Sequence, residues 1–313
     1  MERKNQTIVT DFILLGLSDD PNIQTVLFAT GLLIYMFTLA GNLAIIALIQ
    51  TAQHLQTPMY FLLSNLAFTE MCYISSTMPK MLWDLMLGNK TISLAGCSSQ
   101  MFCFLTTAAT EGALLSVMAY DRYAAICHPL HYTLLMSQPV LRWLVAMSWA
   151  IGGVNGTVDT AFVFSLKFCG PNKIVHFFCD IPPVLHLSCS DTSFVELITF
   201  MISGTIIIVT VSLIFLSYVL IVLSVLKIST AQGRIKTFST CASHLTVVSI
   251  FYGTAIFTYL RPSSGHSMED DRVISVLYTI ITPLLNPLIY SLKNKEIQAA
   301  LLNLLGKKQH CRL

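Results

Sequence analysis

Few side chains in this sequence can do chemistry, and those few stand in stretches that otherwise carry no charge. Glu70 ends an uncharged run that begins after Asp20, and Glu111 ends another that begins after Lys90. An isolated carboxylate in hydrocarbon costs at least about 2.5–3.5 kcal/mol, and a shared sodium ion or a shared proton removes most of that penalty. The two acids are therefore read as a facing pair near mid-membrane that holds one cation or one proton. The plainer alternative is that each is protonated and hydrogen-bonded to Ser or Asn of a neighbouring helix. Arg122, beside Asp121, lies eleven residues beyond Glu111. On a helix that spacing is roughly 16 Å of axis and only about 20° of rotation, so acid and guanidinium share one stripe. Phe104, seven residues before Glu111, belongs to the same stripe nearer its other end. An arginine at a membrane edge either snorkels into water or is offered to a partner. A pocket position, an acid and a guanidinium on one face favour the partner, and make a physical route from one side of a membrane to the other.

Asn286-Pro287-Leu288-Ile289-Tyr290 supplies a moving part, because proline removes a backbone donor and frees a carbonyl. Tyr218 and Tyr290 fall near span ends, where phenols exchange hydrogen-bond partners with Arg122 or sit in an interfacial aromatic belt. Asn42 and Asn286 read as packing and hydrogen-bond anchors. No His-Glu-x-x-His, Gly-x-Ser-x-Gly or phosphate-binding glycine loop occurs, so no enzymatic reading arises.

The scaffold that must position these groups has an unusual composition. Of 313 residues, 54% are hydrophobic and 11% charged, with a formal net charge of +2, and the mean hydropathy is +0.69. A soluble domain carries about 25% charged residues. So few charges cannot cover a water-facing surface, which excludes a soluble enzyme, a disordered tail protein and a collagen-like fibre. Near-neutrality leaves no footprint for nucleic acid. What remains is an all-α membrane protein, a seven-transmembrane helix bundle within a single domain over 1–305. Its spans are expected near 24–49, 58–83, 97–126, 141–165, 196–226, 238–260 and 272–292. Each is long enough, at about 1.5 Å per residue, to cross most of a roughly 30 Å hydrocarbon core. Residues 293–305 carry apolar positions at helical spacing after a basic start and read as a short amphipathic helix on the cytoplasmic membrane surface, with 306–313 as a cytoplasmic tail.

An odd number of spans puts the termini on opposite sides. The Lys/Arg bias between the two sides is weak. Glycosylation signals at Asn5-Gln6-Thr7 and, less strongly, Asn89-Lys90-Thr91 place the N-terminus outside. A third, Asn155-Gly156-Thr157, falls inside the fourth span and is expected to be unused. Gly152, Gly153 and Gly156 in the same span read as a close-packing face.

Of nine cysteines, Cys97, Cys169, Cys179 and Cys189 fall outside the membrane, where three pairings are open. Geometry favours Cys97, at the outer start of the third span, bonding to one of the three in the long loop before the fifth. His176-x-x-Cys179-Asp180 with His186 also has the spacing of a soft-metal site, but a cysteine in a disulfide is no ligand, so no metal is expected there.

Five strings are specific enough to carry a resemblance: Pro58-Met59-Tyr60-Phe61, Met118-Ala-Tyr-Asp-Arg-Tyr-Ala-Ala-Ile-Cys-His-Pro-Leu-His-Tyr132, Ser217-Tyr218, Lys236-Thr-Phe-Ser-Thr-Cys-Ala-Ser-His-Leu245 and Pro283-Leu-Leu-Asn-Pro-Leu-Ile-Tyr-Ser-Leu-Lys-Asn294. From about Thr10 to Leu305 the chain resembles vertebrate olfactory receptors of the tetrapod-type class, within the rhodopsin-like G-protein-coupled receptors. The resemblance implies a plasma-membrane receptor, surrounded by lipid, that binds a small volatile ligand and activates the stimulatory olfactory heterotrimeric G protein to raise cyclic AMP. It implies disulfides Cys97–Cys179 and Cys169–Cys189, and a coupling and switching set of Asp121, Arg122, Tyr123, Tyr218, Asn286, Pro287 and Tyr290. It also implies a cavity lined by Phe104, Leu105, Ala108 and Ala109 in the third span, Ile202, Ser203 and Ile206 in the fifth, Tyr252, Ala255 and Tyr259 in the sixth, and Val276 and Thr279 in the seventh. Such a lining is mostly apolar with a few hydroxyls and no charge, which suits an uncharged ligand. Thr237, Leu62 and Glu70 depart from the usual Ala, Phe and Asp. The sixth span has Phe251-Tyr252-Gly253 and no proline, so the kinked switch of other receptors does not carry over.

Two other functional classes compete. An ion- or proton-coupled transporter would use Glu70 and Glu111 as path-lining acids, but would also show repeated halves or paired broken helices. A seven-helix receptor for a non-odorant small molecule would share every feature above.

Overall fold

The computed structural model describes residues 10–227, 231–259, 274–292 and 295–304. Asn5, the 306–313 tail and the side chains of Tyr259 and Tyr290 lie outside the described residues. Seven helices form the bundle: Pro21–Thr51, Pro58–Leu87, Leu94–Cys127, Gln138–Phe164, Ser193–Leu226, Ala231–Tyr259, and a seventh from residue 274 that passes through a π-helical turn, Leu277–Ile281, into Thr282–Leu292. Polar residues fix where helices start. The Asp20 side chain accepts from the Asn22 N–H at 2.8 Å with Pro21 as the first helical residue, and Ser93 accepts from the Gly96 N–H at 3.0 Å. Gly88 ends the second helix at φ 67°, the left-handed conformation that favours glycine.

Among the described residues, four helices are long and apolar enough to span a membrane by length and composition alone, the first, third, fifth and sixth. The second and fourth carry polar and charged groups, including Glu70 and Asp159, and bury both of these inside the bundle. The third helix is the axis. Of its most apolar stretch 72% is buried, against 28% for the first helix and 22% for the fifth, whose Leu33, Val26, Phe215 and Ile208 face outward as a lipid-facing surface would.

The third and fourth helices touch backbone to side chain. A Cβ built on Gly152 would stand 2.1 Å from Thr110 Oγ1 and 2.3 Å from the Thr106 carbonyl, and one on Gly156 would stand 2.2 Å from Thr106 Oγ1. Gly153, grouped with them on sequence, meets nothing within 4 Å. At 100° per residue it points away from the contact that its neighbours make.

Over the outer end lies a small sheet that the sequence did not announce. β1 (Asp11–Leu14) pairs antiparallel with β2 (Thr91–Ser93) and parallel with β3 (Lys173–Ile174), burying Phe12, Leu14 and Ile174. The loop after the fourth helix is pinned by Cys97–Cys179, Cα–Cα 5.5 Å, and Cys169–Cys189, Cα–Cα 5.8 Å. It is latched to the seventh helix as well: His176 Nε2 meets Ser275 Oγ at 2.7 Å, and the Tyr278 hydroxyl donates to Asp180 Oδ2 at 2.8 Å. With Cys179 in a disulfide and His176 and Asp180 so engaged, the metal spacing is taken up by structure, and among the described residues no group of three or more His, Cys, Asp or Glu gathers. At the opposite end the helix Lys295–Leu304 buries Ile297 and Ala300 against the bundle, and Tyr60 donates to Glu296 Oε2 at 2.7 Å.

Gly156→Ala forces the third and fourth helices apart and is expected to lower surface abundance sharply, whereas Gly153→Ala leaves it at the parent level. Overpacking of this kind costs about 1–3 kcal/mol or more. Surface immunostaining of tagged protein, with thermal stability in detergent, distinguishes the two.

Candidate functional site: an apolar cavity and two polar clusters

Small residues on the third helix leave room where bulky ones would fill it. Leu105, Ala108, Ala109 and Gly112 recur at i, i+3, i+4 and i+7, and face Ser203, Ile206, Ile207 and Thr210 of the fifth helix. Phe251, Tyr252 and Ala255 of the sixth and Asn155 of the fourth complete the cavity. The Tyr252 hydroxyl donates to the Gly112 carbonyl at 3.0 Å, holding the sixth helix against the third at the edge of the space.

Seven of the expected pocket residues meet here: Leu105, Ala108, Ala109, Ser203, Ile206, Tyr252 and Ala255. Phe104 does not. It is one residue out of phase with the cavity stripe and packs instead against Tyr73, Phe178 and Tyr278, at ring-centroid distances of 5.1, 4.9 and 5.9 Å. Val276 and Thr279 are corrected in the same way. Val276 packs on that outer aromatic cluster, and Thr279 turns its hydroxyl back onto the Ser275 carbonyl at 2.5 Å. Ile202 is half-buried beside Ser203 and does not line the space. Gly112, Asn155, Ile207, Thr210 and Phe251 were missed. The i, i+4 and i+7 continuation from Leu105 and Ser203 reaches Gly112, Ile207 and Thr210; nothing in the sequence marked Asn155 as a cavity residue.

Deeper in the bundle, the Asn286 amide donates to Glu70 Oε1 at 2.6 Å and to Glu111 Oε1 at 3.3 Å. Both acids are 1% exposed. They are brought together by a third residue rather than by facing each other alone, and Glu70 Oε2 has no hydrogen-bond partner among the described residues. Pro287 follows directly, and Gly41 of the first helix packs so closely that a Cβ there would lie 3.5 Å from its ring.

At the end of the bundle opposite the small sheet, Tyr132 donates to Asp121 Oδ1 at 2.8 Å. Burial, then the neighbouring Asp121 charge, pushes the Tyr132 phenol above its ordinary range, so it stays a donor. With Asp121 so engaged, Arg122 is half-buried and forms no ion pair among the described residues. Tyr123 meets His128 Nε2 at 2.9 Å. Tyr218, expected against Arg122, is bound at 2.9 Å to Nδ1 of His244, whose Nε2 lies 3.1 Å from the Leu115 carbonyl. A carbonyl only accepts, so Nε2 carries the proton and Nδ1 takes the tyrosine's. His244 is fully buried, and only its place in a recognised string marked it in the sequence.

Seven helices around an apolar cavity, with a guanidinium left open at the far end of the central helix, are the arrangement of a seven-helix membrane receptor. Residues 32–308 match the olfactory receptor family. The chain is 52% identical over 305 residues to olfactory receptor 5AP2 of Mus musculus, covering 97% of this chain and 96% of that one. It is 50% identical over 304 residues to olfactory receptor 5B21 of Mus musculus, covering 97% and 95%, and 49% identical over 309 residues to olfactory receptor 5F1 of Homo sapiens, covering 99% and 98%. The chain belongs to the olfactory receptor family: it is an odorant-sensing, multi-pass G-protein-coupled receptor of the plasma membrane, and not an enzyme.

The geometry separates two kinds of third-helix substitution. Ala108→Phe fills the cavity and is expected to abolish agonist response at normal surface abundance. Phe104→Ala empties a packed aromatic cluster at about 3–5 kcal/mol and is expected to lower abundance and thermal stability. Paired surface staining and cyclic AMP measurements on each variant read the difference.

Proposed function

We propose that a small, uncharged volatile molecule binds in the cavity between the third, fifth and sixth helices, and that the receptor passes this signal to a stimulatory olfactory heterotrimeric G protein, raising cyclic AMP. The observation that carries the reading is the pair of hydrogen bonds that tie the sixth helix to the third, Tyr252 to the Gly112 carbonyl beside the cavity and His244 to the Leu115 carbonyl below it. Both third-helix acceptors lie between the cavity and Arg122. A ligand that displaces Tyr252 weakens the upper tie, and movement of the sixth helix then draws His244 from Leu115 and frees Tyr218 for Arg122. The sixth helix thus swings as a body held by two side chains, which needs no proline. The proposal places the N-terminus and the Asn89 glycan site outside the cell and Asp121, Arg122 and Tyr123 inside.

Glu70, Glu111 and Asn286 act in this scheme as the brake. Two carboxylates bridged by one amide in a water-free interior need a cation or proton between them. The chemistry of the donor set suits a sodium ion, for which Glu70 Oε2, without a hydrogen-bond partner among the described residues, is a ligand. Occupancy favours the inactive packing, so cation and agonist oppose each other reciprocally.

Arg122→Ala is expected to reach the cell surface and to give no cyclic AMP response to any agonist; a full response would remove Arg122 from coupling. Glu111→Gln is expected to shift basal activity and to make agonist potency insensitive to sodium. If potency in the parent receptor is already indifferent to sodium and pH, the acid pair has no part in switching.

A further inference from the structure

Asn155 sits in the middle of the fourth span, 4% exposed, and lines the cavity. Its Oδ1 is buried and has no hydrogen-bond partner among the described residues. A buried amide left unpaired is a standing loss of stability in any fold. Thr107, Thr110 and Thr210 avoid it by returning their hydroxyls to carbonyls of their own helices, whereas Glu70 Oε2 and the hydroxyls of Thr106, Thr160 and Thr199 are, like Asn155 Oδ1, buried without a partner among the described residues. Around Asn155 that habit fails. One turn outward, Asp159 Oδ1 is also buried without a partner, while Asp159 Oδ2 receives the Ser203 hydroxyl at 3.3 Å. Ser203 itself lines the cavity. The wall formed by the fourth and fifth helices therefore holds hydrogen-bonding capacity that the protein does not use.

We infer that Asn155 is the specificity-determining residue of the cavity and that it selects ligands carrying a hydroxyl group, an alcohol or a phenol. The inference rests on the cavity being the odorant site, as proposed above. A hydroxyl is both donor and acceptor, so it gives its proton to Asn155 Oδ1 and takes a hydrogen from the amide nitrogen, with Ser203 in reach as a second partner. A ketone or aldehyde only accepts and leaves Oδ1 orphaned. A hydrocarbon leaves the whole amide orphaned. A carboxylate finds no Lys or Arg on the lining and has Asp159 one turn away, and an ammonium finds no acid on the lining itself, since Asp159 stands behind Ser203. Asn155-Gly156-Thr157 is a glycosylation signal by spelling only, because a side chain buried in mid-span is out of reach of the modifying enzyme.

The test uses the full receptor with matched probes: octanol, octanal and octane, and cresol, methylanisole and xylene. In cells with a cyclic AMP reporter, and by thermal shift of the purified receptor, the hydroxyl member of a set is expected to act at a concentration at least about tenfold lower than its partners. Asn155→Leu is expected to erase that preference, with the hydrocarbon gaining and the alcohol losing, and Asn155→Asp, which keeps an acceptor at the same place, to retain it. A readout without ligand accompanies these. Because Asn155 has no partner to lose, Asn155→Ala and Asn155→Leu should be at least as heat-stable as the parent, and a marked loss in both would show a structural role and overturn the inference. Equal potency across a set, a preference unchanged in Asn155→Leu, or no effect of either hydroxyl probe in both assays would also overturn it. If aldehydes or hydrocarbons act best and Ala108→Phe blocks them, the hydroxyl assignment falls and the cavity stands. If responses survive Ala108→Phe, the cavity reading falls instead.

Discussion

Little water reaches the core of a helix bundle in a membrane, so a polar side chain that points inward is costly unless another part of the protein answers it. That constraint bears hardest on the third helix, which is surrounded by its neighbours and carries Glu111, Asp121 and the acceptor carbonyls of Gly112 and Leu115. Donors reach it at different depths. Asn286 comes from the seventh helix, Tyr252 and His244 from the sixth, and Tyr132 from the loop after the third helix. The bundle is thus organised as one central rod and a set of removable ties. Rods of this kind shift by exchanging ties, and a cavity beside one of them couples a small molecule to the whole set.

Much of this was legible in the sequence because the periodicities involved are long and the chemistry is rare. Uncharged runs between single charges located the helices, and five strings at span ends located the family. The lone acids were bound to be partnered, since nothing else can be done with them in hydrocarbon. Adjacent stripes on one helix were not separable. Phe104 and Leu105 differ by 100° of rotation, and which of them looks into the cavity depends on where the second, fifth and seventh helices stand. The same limit governed Val276 and Thr279, whose turn of helix is π-helical and so out of the ordinary phase.

Other features left no periodic trace at all. Asp11–Leu14 is too short a run for alternation to register, and its partners lie in two loops far along the chain. Asn155 was read only as part of a glycosylation triplet expected to be unused within the fourth span, and nothing in its spacing marked it as lining the cavity. That Asn286 would serve both acids at once follows from three helices meeting at one depth, which no single stretch of residues encodes. His244 belongs to the same category. Its two ring nitrogens reach the third and fifth helices from the sixth, and its role is defined by that meeting point.

The small outer sheet bears on how the chain is made. β1 precedes all seven helices in the chain, yet its parallel neighbour β3 lies beyond the fourth helix, with Ile13 beside Lys173 and Leu14 beside Ile174. The leading strand must therefore wait, unpaired on that side, through the insertion of four helices before its second edge is covered. Loop-closure entropy makes such long-range pairing slow. Until then the strand that carries Phe12 and Leu14 keeps one edge open. Completion of the sheet coincides with arrival of the loop that holds Cys169, Cys179 and Cys189. The sheet and the two disulfides therefore close together, as one step that must wait until four helices are in place.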